Sequence, residues 1–198
     1  MPNASDAPFS ETQLKAVAIV PKFASFPSIL GALFILQNVW RSPKRRSRVY
    51  HRILFGMSLH DVLYSIKAFV STWPIPSDTP ETVVYGALGT QETCVVAGFF
   101  GQGAALTSIF YNASLTVFFL LVVKYGYKEH VIRRKVELWL HVIPLLVGWG
   151  TAVAGLPLQL YNAFGWTCWI NSYPLGCIDN VDCERGDNAG SQRSKRTV

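Results

Sequence analysis

The stretch Trp40-Arg41-Ser42-Pro43-Lys44-Arg45-Arg46-Ser47-Arg48 decides what kind of protein this is. With Arg52 it concentrates six cations directly behind a long apolar run. A second basic stretch (Lys124, Lys128, Arg133, Arg134 and Lys135) again follows one apolar run and precedes another. Together the two clusters hold 11 of the 18 Lys and Arg residues. A hydrocarbon core of about 30 Å requires roughly 20 helical residues, and the flanking runs are long enough. Short loops rich in Lys and Arg stay on the cytoplasmic side of a membrane. The chain therefore reads as an all-α, multi-pass transmembrane helical bundle whose orientation is written in its charges.

Composition agrees. Half of the 198 residues are hydrophobic and 15% are charged, against about 25% in soluble domains. The net charge of +6 lies between apolar runs rather than along one soluble face, so anionic membrane lipids are the expected partners and nucleic acid is not.

Four spans are expected, at about residues 17–40, 53–73, 94–123 and 136–161, with loops 41–52 and 124–135 in the cytoplasm. In the first, Pro21 and Pro27 predict kinks and Lys22 is expected to snorkel to the interface, while Trp40 marks the inner boundary. The second carries His60, Asp61 and Lys67. Asp or Lys at a helix centre costs about 2.5–3.5 kcal/mol on insertion scales, so these three must face a bundle interior. The third contains Gly98, Gly101 and Gly103, small residues that permit close helix contact. Within it, Gln102 is favoured as a partner in an interhelical hydrogen bond over a pocket residue, and Asn112 as interhelical glue. In the fourth, Gly148-Trp149-Gly150 reads as a packing element, and His141, near the inner end, as an interfacial or hydrogen-bonded residue.

Both basic clusters being cytoplasmic, residues 74–92, the amino-terminal residues 1–16 and the segment 162–198 are expected outside. Residues 1–12 lack the basic start and apolar centre of a secretory signal, so the amino terminus should cross with the first span. Cys94, Cys168, Cys177 and Cys183 then all face an oxidising compartment. Four cysteines allow three connectivities. The preferred one ties Cys94 to Cys168 and closes a short loop with Cys177 and Cys183; zinc is the competing reading, without nearby His ligands to favour it. Asn3-Ala4-Ser5 is a glycosylation acceptor pattern. The sequence offers no nucleophile paired with a base, no metal cluster and no phosphate-binding glycine loop, so neither an enzyme nor a cofactor is expected.

A family resemblance lies in the third span. It reads Cys94, then Gly98-Phe99-Phe100, Gln102, Tyr111-Asn112-Ala113, Leu115, Leu120-Leu121-Val122, Tyr125 and Lys128-Glu129. This resembles the third helix of the cyclic-AMP-receptor-like seven-helix receptors of protists and microalgae. Gly148-Trp149-Gly150 and Cys168-Trp169 are similar to that group and to the secretin-like receptors; Ser58-Leu59-His60-Asp61 and Trp73 fit the wider pattern. The resemblance covers about residues 28–189. It implies the first four helices of a seven-helix G-protein-coupled receptor in the plasma membrane, with an extracellular ligand bound among the helices. The Cys94–Cys168 bridge would hold the outer loop over the pocket. Lys124, Lys128, Arg133, Arg134 and Lys135 would contribute to a surface for a heterotrimeric G protein.

Two departures qualify it. Lys124-Tyr125-Gly126-Tyr127 stands where rhodopsin-like receptors carry Asp-Arg-Tyr. A polar tail, Gly190-Ser191-Gln192-Arg193, follows where a fifth span is expected, so the chain reads as an incomplete receptor. Two other classes compete: a four-span structural or adaptor membrane protein, and a channel or transporter subunit using His60, Asp61 and Lys67.

Overall fold

The computed structural model describes residues 10–173 and 185–186. Asn3, Cys177, Cys183 and the polar tail lie outside these residues. The fold is all-α apart from one small hairpin: α1 (Glu11–Arg41), α2 (Pro43–Arg46), α3 (Val49–Val70), α4 (Gln91–Phe119) running into a π-helical turn (Leu120–Lys124), α5 (Glu129–Lys135), α6 (Glu137–Gly155), β1 (Tyr161–Phe164) and β2 (Thr167–Ile170).

Four of these, α1, α3, α4 with its π turn, and α6, are long and apolar enough to cross a membrane. No more than 28% of the most apolar stretch of any of them is buried within the protein. The remaining apolar surface, including Phe23, Phe34, Ile109 and Leu146, exceeds what a water-soluble domain exposes and needs lipid. The chain is an integral multi-pass membrane protein.

The span boundaries differ from the expected ones, for local reasons. The basic stretch 41–52 is not a loop. Ser42 caps α2 by accepting from the Arg45 N–H at 3.4 Å, and Pro43 follows at the first helical position, where its missing N–H costs nothing. Residues Val49–Arg52 already belong to α3. Likewise Glu129–Lys135 within 124–135 form α5, since Lys and Arg are good helix formers. The first helix stays continuous through Pro21 and Pro27. The fourth span ends at Gly155 rather than near residue 161, because Pro157 cannot continue the hydrogen-bond ladder and Gln159 takes a positive φ of 52°. The following segment, expected as a loop, is an antiparallel hairpin pairing Tyr161 with Ile170 and Ala163 with Cys168. Gly165 begins its two-residue turn with φ 56°, the sign such turns favour.

The chain divides into two compact units. The first takes the described residues of Met1–Phe23, Ala68–Phe99 and Val153–Val198; the second is Ala24–Lys67 with Phe100–Ala152. The first is built around buried Ile75, Val84, Cys94, Ala163 and Cys168. The second is built around Val49, Ile53, Tyr111, Phe118, Ile132 and Leu140.

Candidate functional site: a disulfide-tied hairpin and an intramembrane polar network

In the first unit, α4 begins beside the hairpin that follows α6. Cys94, in the first turn of α4, forms a disulfide with Cys168 of β2, and both are fully buried. Tyr161 of β1 lies in a slot made by two glycines. A Cβ at Gly98 would stand 2.7 Å from its ring, and one at Gly155 2.7 Å from its hydroxyl. Burial pushes the Tyr161 phenol up to about 12. Gln91 Nε2 donates to the Tyr161 carbonyl at 3.0 Å and to Asn162 Oδ1 at 3.2 Å. Lys22 does not simply reach for an interface. Its ammonium donates to the carbonyls of Phe69 (3.3 Å) and Val70 (3.2 Å) and lies 3.8 Å from the Trp73 ring centroid. It thus closes the C-terminus of α3, where the helix dipole favours a cation.

In the second unit the polar residues of α3 find partners on α4 and α6. His60 Nδ1 lies 2.8 Å from the Gly56 carbonyl, and Trp149 Nε1 lies 3.2 Å from His60 Nε2. A carbonyl only accepts and an indole N–H only donates. The hydrogen-bond pattern therefore assigns His60 as the neutral imidazole with its proton on Nδ1. The Tyr111 ring lies tilted against His60 and edge-on to His141, with ring centroids 5.8 and 5.6 Å away, and its hydroxyl meets His141 Nδ1 at 3.2 Å. Gly56 makes room for it, since a Cβ there would lie 2.6 Å from the Tyr111 ring. His141 Nε2 is 3.8 Å from Glu137 Oε1. Both carboxylate oxygens of Glu137 are taken by the Arg52 guanidinium, which also donates to the Arg46 carbonyl at 2.8 Å.

Asp61 accepts from the Ser108 hydroxyl on α4. Lys67 is buried, and its stem runs over Gly101, where a Cβ would lie 2.9 Å from Cε. Gln102 is buried and reaches Thr151 Oγ1 at 3.5 Å. Trp149 fits against Gly103, where a Cβ would be 2.6 Å from its ring, and Gly148 leaves space for Thr107.

No protein-family model, curated protein or solved structure matches this chain.

Two residues singled out in the sequence do not join the network. Asn112 is exposed and holds no other helix among the described residues; its neighbour Tyr111 takes the buried position, and a step of one residue turns a helix by about 100°. Gly150 has nothing within 4 Å of a Cβ, so of Gly148-Trp149-Gly150 only the first two pack. Lys124, Lys128, Arg133, Arg134 and Lys135 are all exposed. Arg52, Glu129, Glu137 and Ser108 were not legible as site residues. Glu129 accepts from Arg48 Nη1 at 3.1 Å and from the Val49 N–H at 2.8 Å. The available signal was the placement of Glu129 and Glu137 as lone acids around the second basic cluster. Nothing local marked Ser108.

Proposed function

We propose that this chain is a receptor-like signalling protein of the plasma membrane, corresponding to the first four helices of a seven-helix G-protein-coupled receptor of the cyclic-AMP-receptor-like and secretin-like type. Its amino terminus and disulfide-tied hairpin face outside, and its basic stretches face the cytoplasm.

The observation that carries this reading is the Cys94–Cys168 disulfide. It fastens the start of the third span to the segment after the fourth, the place where the resemblance calls for a bridge over a ligand pocket. The charge distribution supports the orientation. The exposed cations Lys124, Lys128, Arg133, Arg134 and Lys135 offer a surface for a heterotrimeric G protein, and an external ligand is the expected stimulus.

The test uses the chain expressed in sealed plasma-membrane vesicles. An impermeant thiol reagent added outside right-side-out vesicles should label Leu88→Cys, an exposed position between α3 and α4, above the level of the wild type. A heterotrimeric G protein should co-purify with the wild type, and less with Lys128→Gln/Arg134→Gln. Labelling only in inside-out vesicles would reverse the topology and end the receptor reading. Correct topology with no co-purifying G protein would favour the four-span structural reading.

A further inference from the structure

The second unit holds a groove of which the receptor reading uses only Arg133. Arg46, Arg52, Arg133 and Glu137 line a cavity of about 630 Å³ together with apolar Val39 and Leu138. The cavity carries three guanidinium groups against one carboxylate. Arg52 is committed to Glu137 through both carboxylate oxygens, which leaves the charges of Arg46 and Arg133 in excess at the mouth. Trp40 and Phe55 form the inner wall, stacked with ring centroids 6.0 Å apart.

A second cleft, of about 610 Å³, begins on those same two rings and runs along α1 past Phe34 and Leu33 to Leu30. From Leu30 to Trp40 the helix rises about 15 Å, which is half of a roughly 30 Å hydrocarbon core and so the depth of one leaflet. The lining residues Leu30, Leu33 and Phe34 are exposed. A cationic cavity that shares the Trp40 and Phe55 walls with an apolar cleft one leaflet deep matches a molecule with a phosphate at one end and an acyl chain at the other.

We infer that this groove is a binding site for a single anionic glycerophospholipid of the leaflet on the basic side. Its phosphate sits between Arg46 and Arg133, and one acyl chain lies in the cleft beyond Trp40 and Phe55. The Arg52–Glu137 pair forms the floor of the site and keeps a carboxylate from repelling the phosphate. This is a lodged lipid rather than diffuse attraction to the membrane, because Arg46 and Arg133 come from different helices and meet at one cavity, whereas Arg41 and Lys44 do not line it. The inference stands apart from the receptor reading and needs no G protein.

The test is quenching of tryptophan by brominated lipid. The protein is placed in phosphatidylcholine nanodiscs containing either dibrominated phosphatidylglycerol or, at the same fraction, dibrominated phosphatidylcholine. The Trp40 signal is the difference between wild type and Trp40→Phe. Phosphatidylglycerol should quench it preferentially. That preference should fall about fivefold for each of Arg46→Gln and Arg133→Gln, and persist in Arg41→Gln/Lys44→Gln. Leu30→Phe/Leu33→Phe, which fills the cleft with both arginines intact, should also reduce quenching. All of these side chains are on the surface, and unchanged far-ultraviolet circular dichroism establishes that the variants fold. Equal quenching by the two lipids overturns the proposal. So does an equal loss in Arg41→Gln/Lys44→Gln, which would mean diffuse surface charge. Displacement by inorganic phosphate, at an ionic strength matched with chloride, would mean a soluble-anion site and also overturns it.

Discussion

The indole N–H of Trp149 donates to Nε2 of His60 at 3.2 Å while the Gly56 carbonyl lies 2.8 Å from the other ring nitrogen. One imidazole is thereby held between α3 and α6 with both nitrogens used. Interhelical hydrogen bonds of this kind in membranes are worth about 1 kcal/mol. A double-mutant cycle of His60→Phe and Trp149→Phe should return a coupling energy of about that size in a detergent-unfolding assay. Additive effects would show that the two side chains do not share a bond.

Glycines in α6 should respond in opposite directions. A methyl at Gly148 meets Thr107, and one at Gly103 on α4 meets the Trp149 ring at 2.6 Å. Gly148→Ala and Gly103→Ala should each destabilise by about 1–3 kcal/mol through overpacking. Gly150→Ala enters open space and should stabilise by about 0.5–1 kcal/mol through helix propensity. Stability measurements giving the same sign at Gly148 and Gly150 would contradict the packing.

Arg52 and Glu137 form a two-point ion pair whose side chains are 28% and 14% exposed. That exposure places the cost of breaking it between surface and buried pairs. Either Arg52→Met or Glu137→Gln should cost about 1–3 kcal/mol, and Arg52→Met/Glu137→Gln should cost less than the two added together. The comparison is made at low and high salt, where a pair this sheltered should change little.

Cys94 and Cys168 are joined and fully buried. They should resist alkylation until both reductant and denaturant are present, and reduction should alter migration on a gel. Cys94→Ser and Cys168→Ser should destabilise alike, by about 2–4 kcal/mol. Free alkylation of either thiol in the untreated protein would sink the pairing.

Tyr161 should titrate late. An ordinary tyrosine loses its proton near about 10, whereas burial pushes this one up to about 12. Between those values the folded state holds a proton that the unfolded state has released, so stability falls as pH rises through that window and is unaffected below it. The wild type minus Tyr161→Phe difference in phenolate absorbance should therefore develop above pH 10 and not before. Development at pH 10 or lower would show the phenol to be solvated.

Much of the scaffold could be read along the chain. Four apolar runs, with basic clusters in two of the three gaps between them, announced four helices, because hydropathy over about 20 residues is a local sum that no distant residue alters. His60, Asp61 and Lys67 announced a polar interior for the same reason, since lipid leaves such groups no other place. The ends of the helices were less legible. A basic stretch such as 41–52 reads as loop by charge and as helix by propensity, and the Ser42 cap with Pro43 settled the matter. The hairpin at Tyr161–Ile170 left only a short four-residue pattern on each strand, too little to separate from a loop.

What the sequence by itself determined is that this chain belongs in a membrane with its cations gathered beside two of the turns. Only the tertiary structure decided which polar group answers which: Trp149 for His60, Ser108 for Asp61, Glu137 for Arg52. Those partners lie 47 to 89 residues apart. Their meeting depends on the rotation and register of whole helices, fixed by where Gly56, Gly103 and Gly148 let aromatic and hydroxyl side chains approach. That is a property of surfaces fitting one another, and no window of sequence contains both surfaces.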